Sequence, residues 1–169
     1  MMEEYDTELA ELVRGWLDRE AYHYDFNAEK GLFRYGLSVK GKLNKLDCAV
    51  SIGSDNLIFY AIAPLKAEPE RLGEAAEFIA RANYGLIHGC FELDFSDGEI
   101  RYRITVNCDG VQPSEAVLDD SFGIPAGMFE RYGQGLLEVL FGFETPAAAV
   151  AKCEQAAAGA APSVPPTRH

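Results

Sequence analysis

The sequence predicts an α+β fold with elements in the order α-β-β-β-β-α-β-β-α, followed by a short helix. Three observations carry that prediction. Residues 22–63 hold four short apolar runs separated by turn residues. Stretches with helical spacing precede them, follow them and close the chain. Residues 89–107 read as a complete β-hairpin. At 169 residues the chain makes one domain with a real core, spanning 1–158, with a tail of Ala, Pro and Ser over 159–169 that is expected to be disordered.

The first element is an amphipathic helix over 4–20, where Tyr5, Leu9, Leu12, Val13 and Trp16 recur at helical spacing opposite Glu8, Glu11, Asp18 and Arg19. Four strands follow. Tyr22, Tyr24 and Phe26 alternate with His23 and Asp25. Phe33, Tyr35, Leu37 and Val39 alternate with Arg34, Gly36 and Ser38. Leu46, Cys48, Val50 and Ile52 alternate with Asp47, Ala49 and Ser51. The fourth run, Leu57-Ile-Phe-Tyr-Ala-Ile-Ala63, is apolar on both faces, so both faces need cover. Either the chain's own helices or a partner supplies the second cover. Pro69 opens a helix whose inward stripe is Leu72, Ala75, Ala76, Ile79 and Ala82, stopped at Gly85. After Pro113, apolar residues from Val117 to Leu140 keep a helical period. Pro125, with Gly123 nearby, is expected to split this stretch into helices over 114–122 and 125–141. Gly133 and Gly135 weaken the second unless a close contact needs them. Thr145-Pro146 opens a short alanine-rich helix to about 158.

The hairpin can be registered from Asp97-Gly98, a favoured pair for a two-residue type I′ turn. Counting outward opposes Phe95 to Ile100, Asp94 to Arg101, Leu93 to Tyr102, Glu92 to Arg103 and Phe91 to Ile104. One face is then apolar, with Phe91, Leu93, Phe95, Ile100, Tyr102, Ile104 and Val106. The other carries the acid–arginine quartet as a solvated surface.

Acids outnumber bases 27 to 15, for a net charge of −12, which argues against a nucleic-acid partner. No polybasic stretch suits a membrane surface, no apolar run reaches ~20 residues, and the acidic start is not a signal peptide, so a cytoplasmic location is expected. Cys48, Cys90, Cys108 and Cys153 are widely spaced, without metal-ligand spacing, and Cys48 and Cys108 read as core residues. His23, His88 and His169 are scattered, and the Gly-Gln-Gly and Gly-x-Pro-x-Gly patterns lack the context of a phosphate loop. No catalytic residue, cofactor or metal is expected.

The block from Glu77-Phe-Ile-Ala-Arg-Ala-Asn83-Tyr-Gly through Gly89-Cys-Phe91-Glu-Leu93 to Asp97-Gly98-Glu-Ile-Arg101-Tyr-Arg103 resembles the bacterial YbjN family. Phe129-Glu-Arg-Tyr132 and Thr145-Pro146-Ala-Ala-Ala-Val150 also fit, so the resemblance covers roughly 5–155. The glycine-rich stretch 123–135 departs from it, where more regular helix belongs. The resemblance implies a fold similar to type III secretion chaperones, a twisted antiparallel sheet with helices packed on one face, often dimeric, and a regulatory or chaperone-like role. It supplies no catalytic residue.

Three functions follow as expectations. The first is a non-catalytic protein-binding module, a homodimer that also takes a protein or peptide partner, with Tyr22, Tyr24, Ile58, Tyr60 and Ile62 as its contact patch. The second is a carrier of a small apolar ligand, held between the sheet and the C-terminal helix in a cavity lined by Phe33, Tyr35, Phe91 and Tyr102. The third, an enzyme using Glu92, Asp94, Arg101 and Arg103, lacks the enclosed pocket that catalysis needs.

Overall fold

The computed structural model describes residues 4–159. Helix α1 (Thr7–Arg19) leads into β1 (Tyr24–Asn27), β2 (Leu32–Ser38), β3 (Lys45–Ile52) and β4 (Asn56–Ile62). A 3₁₀ turn, Pro69–Arg71, opens α2 (Leu72–Asn83); β5 (Cys90–Leu93), β6 (Ile100–Asn107), α3 (Glu115–Leu140) and α4 (Pro146–Gly159) complete the order. The six strands form one antiparallel sheet in the order β1-β2-β3-β4-β6-β5. This is the expected α+β architecture, with α4 as a further helix. The last helix takes in Gly159, and the tail expected beyond it lies outside the described residues. No described helix is long and apolar enough to cross a membrane.

Helices α1 and α3 start where a side chain can take up free N–H groups. Asp6 accepts from the N–H groups of Glu8 and Leu9, and Ser114 accepts from that of Val117. Helices α1, α2 and α3 bury their apolar stripes on one side of the sheet, and α4 packs over α2 and α3. Alternation supplies the facing residues, including Phe33, Leu46, Val50, Leu57, Phe59, Phe91, Tyr102 and Ile104, all buried. Cys48 and Cys108 are buried as expected.

Helix α3 differs from expectation: it is continuous through Pro125. An internal proline removes a backbone hydrogen bond and crowds the preceding turn, at about 3 kcal/mol. Packing on both sides of it offsets that cost. Phe122 stacks on Trp16 with ring centroids 3.7 Å apart, and Phe129 meets Phe91 edge-on at 5.2 Å. Burying each such side chain contributes roughly 1.5–3 kcal/mol. Gly135 has the close contact its position required. A Cβ there would lie 2.7 Å from Cys153 Sγ and 3.0 Å from the Ala149 carbonyl, so α4 can seat against α3 only over a glycine.

The hairpin differs too. Phe91 faces Tyr102, Glu92 faces Arg101 and Leu93 faces Ile100, two residues out of the expected register. The connection is therefore the six-residue loop 94–99 rather than a two-residue turn. Asp94 holds that loop: its carboxylate accepts from the Ser96 N–H (2.8 Å) and hydroxyl (2.6 Å), and its carbonyl accepts from the Gly98 N–H. Gly98, with φ near +79°, lies against Ala67, where a Cβ would collide with the Ala67 carbonyl. A shift of two keeps every strand residue on its expected face. Phe95 leaves the strand, however, and is 62% exposed rather than in the core.

Candidate functional site

Two candidate surfaces follow from the pattern, one on each side of the sheet. On the helix side, Phe33, Tyr35, Phe91 and Tyr102 are engaged with other rings. Phe33 stacks on Phe26 at 4.3 Å, and Tyr35 meets Tyr22 edge-on at 5.4 Å. Phe91 is surrounded by Tyr102, Phe129 and Tyr132 at 4.9, 5.2 and 5.8 Å. The volume that a ligand between these four would need is filled with ring contacts. The Tyr102 hydroxyl, the polar atom of a fully buried ring, donates to the His88 carbonyl. Burial pushes that phenol up to about 12.

Among the described residues, no helix lies on the other side of the sheet. Its residues are read directly from the strand register. One rung runs Asp25, Arg34, Ala49, Tyr60, Arg103, Cys90 from β1 to β5. The next runs Gly36, Asp47, Ile62, Arg101, Glu92. A third holds Leu32, Ser51, Ile58 and Thr105. Ile58, Tyr60 and Ile62 thus form an apolar stripe along a central strand, each half-buried, between the fully buried and the exposed range. Beside it, Gly36 and Ala49 floor a concavity of about 700 Å³ walled by Arg34, Asp47, Ile62 and Lys66.

On the far side of the stripe, the expected acid–arginine quartet is a triad. Glu92 uses both carboxylate oxygens, one for Arg101 Nε (2.7 Å) and one for Arg103 Nε (2.6 Å). Asp94 is withdrawn into its own loop. Partial burial raises the Glu92 pKa, but the hydrogen bonds from Arg103 and Arg101 outweigh it and leave the carboxyl below its ordinary value. Arg101 also lies over the Tyr60 ring at 4.4 Å, and Arg103 reaches the Thr105 hydroxyl at 3.0 Å. The arginines are therefore held in place around the stripe.

The five contact residues expected from the sequence divide between the two sides. Ile58, Tyr60 and Ile62 share the outer face. Tyr22 and Tyr24 lie on the helix side: Tyr22 stacks on Trp16 at 5.8 Å, while the Tyr24 hydroxyl donates to Asp18 at 2.7 Å and its ring meets Phe33. The reason is parity, because Tyr24 opposes Tyr35 and so shares that residue's inward side.

One positioning residue was not singled out from the sequence. Asn83, at the end of α2, donates to the Phe91 carbonyl (2.9 Å) and accepts from the Phe91 N–H (2.7 Å). It closes the outer edge of β5 as a strand would. An asparagine just before a helix stop is the only local signal for this. Among the described residues, no group of three or more His, Cys, Asp or Glu could hold a metal ion.

No curated protein matches the chain. The crystal structure of YbjN from E. coli, described as "a putative transcription regulator", superposes with a TM-score of 0.55 over 74% of this chain and 91% of that one. At 14% identity that likeness speaks for the fold alone. A family model described as "Putative bacterial sensory transduction regulator" matches residues 9–138, from α1 through all six strands and nearly all of α3, and the chain belongs to that family, YbjN.

Proposed function

We propose that this protein is a non-catalytic regulator that acts by binding protein, in a chaperone-like manner, through the outer face of its sheet. One observation carries the reading: Ile58, Tyr60 and Ile62 make an apolar stripe on a central strand with no described helix over it. A large aliphatic or aromatic side chain left partly in water forfeits part of its roughly 1.5–3 kcal/mol of transfer free energy, which a docked partner recovers. Rigid arginines beside an aromatic ring are the composition that contact surfaces favour. Membership of a regulatory family agrees with this reading. An active site is a poorer fit, since Glu92 is committed to both arginines on an open face.

The test is a photo-crosslinking amino acid placed at position 60 in living cells, with Glu29, on an exposed turn, as the control position. Protein adducts at 60 and not at 29 are expected. An absence of adducts at 60 would remove the reading.

A further inference from the structure

We propose that the occupant of the outer sheet face is a second copy of this chain, docked about a two-fold axis that runs along β4. This rests on the outer face being a protein-contact surface, and it assigns the partner.

Charge selects the face. The outer strand positions carry four basic side chains (Arg34, Lys45, Arg101, Arg103) against three acidic ones (Asp25, Asp47, Glu92). The net −12 of the chain is therefore carried by its other surfaces. Two copies meeting elsewhere bring strongly acidic surfaces together, whereas the outer face meets its own kind near neutrality.

Register selects the axis. Sheets packed face to face are exchanged by a two-fold axis lying between them. An axis along β4 keeps each rung level and swaps its two ends. Ile58, Tyr60 and Ile62 then meet their own counterparts. Asp47 of each copy lies opposite the partner copy's Arg101, twice over, because the two flank Ile62 in one rung. Arg103 lies over the partner copy's Ala49, where the concavity of about 700 Å³ leaves room for a long side chain. Glu92 lies over Gly36, beside Arg34. Arg34 and Asp47 have no ion-pair partner within their own copy among the described residues, so each is available. An axis across the strands instead sets Arg103 against Arg103 and Arg34 against Arg34, which like charge opposes. Size and sign both fit the first arrangement and both fail in the second.

The experiment is sedimentation equilibrium of the purified chain and of two charge-reversed variants, each first shown to melt cooperatively. The parent chain should be a dimer of 18.5 kDa subunits at micromolar concentration. Asp47→Arg and Arg101→Asp should each raise the dissociation constant by about tenfold or more, since each opposes like charges twice. Mixing the two variants should restore a heterodimer, because position 47 of one then meets the opposite charge at position 101 of the other on both sides. If Arg101→Asp fails to fold, Tyr60→Cys decides: mild oxidation should link two chains through a residue on the axis, and Thr105→Cys, displaced from it, should not link. A parent chain that stays monomeric to about 100 µM, or folded variants that do not recombine, or linking at 105 and not at 60, would overturn the proposal. A monomeric chain that still gives adducts with other proteins at position 60 in cells removes the second copy alone; no adducts there remove the protein-binding reading as well.

Discussion

Strand β4 has two apolar faces with different fates. Leu57, Phe59 and Ala61 are at most 2% exposed, while Ile58, Tyr60 and Ile62, their immediate neighbours, keep part of their surface in water. The chemistry of the two sets is similar. What differs is the cover: α1, α2 and α3 all pack on the first side, and no described helix lies on the second. Apolar character on both faces states that cover is needed twice. It does not say who supplies it, since a helix of the same chain and a surface of another chain remove the same area from water.

That difference has measurable consequences, and the largest lies on the covered face. Phe59→Ala removes a ring packed edge-on against Phe122 at 5.0 Å, and should cost about 3–5 kcal/mol in urea melts. Phe91→Ala should cost a similar amount, for the ring contacts already described. A loss under ~1 kcal/mol at either position would mean that the helices do not close over this side.

Asn83→Ala comes next. It strips the Phe91 N–H and carbonyl of their partners at the edge strand, and should cost about 1–3 kcal/mol. Hydrogen exchange at the Phe91 amide should accelerate more than exchange in central β4. Uniform acceleration would show that Asn83 does not act at the β5 edge.

Glu92→Gln has a smaller effect. Glu92 is 28% exposed and its arginine partners 37% and 35%, so water compensates and the cost at neutral pH should be about 1 kcal/mol. Its direction with pH is fixed by linkage. The folded-state pKa is depressed, so the stabilisation is complete above the ordinary carboxylate value and is lost as pH falls through the folded one. The gap between the parent and Glu92→Gln should therefore close on acidification. A gap that widened would contradict the ion pairs.

The smallest loss is expected on the open face. Ile58→Ser and Tyr60→Ser, measured on dilute monomer, should each cost less than about 1 kcal/mol. Losses matching that of Phe59→Ala would mean that this side is already buried within one chain.

Much of the architecture was legible because the signals for it are local. Alternation along 33–39, 46–52 and 91–106 sorted residues between the two sides of the sheet, and a register error of two left that sorting intact. The error arose because Asp97-Gly98 signals a tight turn equally well in any hairpin. Here Gly98 serves the backbone of Ala67, a distant segment. Likewise, Pro125 reads locally as a break, whereas rings brought from other elements, Trp16 and Phe59 on Phe122 and Phe91 on Phe129, pack against α3 on either side of it. Three of the five contact residues share one surface. Tyr22 and Tyr24 could not be placed by alternation within their own strand, which tells the faces apart but not which of them meets the helices.

From the amino-acid order alone come the element types, their sequence along the chain, the partition of each strand into two faces, and a net negative charge. These depend on periods of 2.0 and 3.6 residues and on charge counts, which are properties of neighbouring residues. Folding in three dimensions settled the rest: the hairpin register, the unbroken α3, the Asn83 clasp on β5, the Glu92 triad, and the face of β4 that no described helix covers. Each depends on how separate elements meet, and no period within one element records which other surface will arrive.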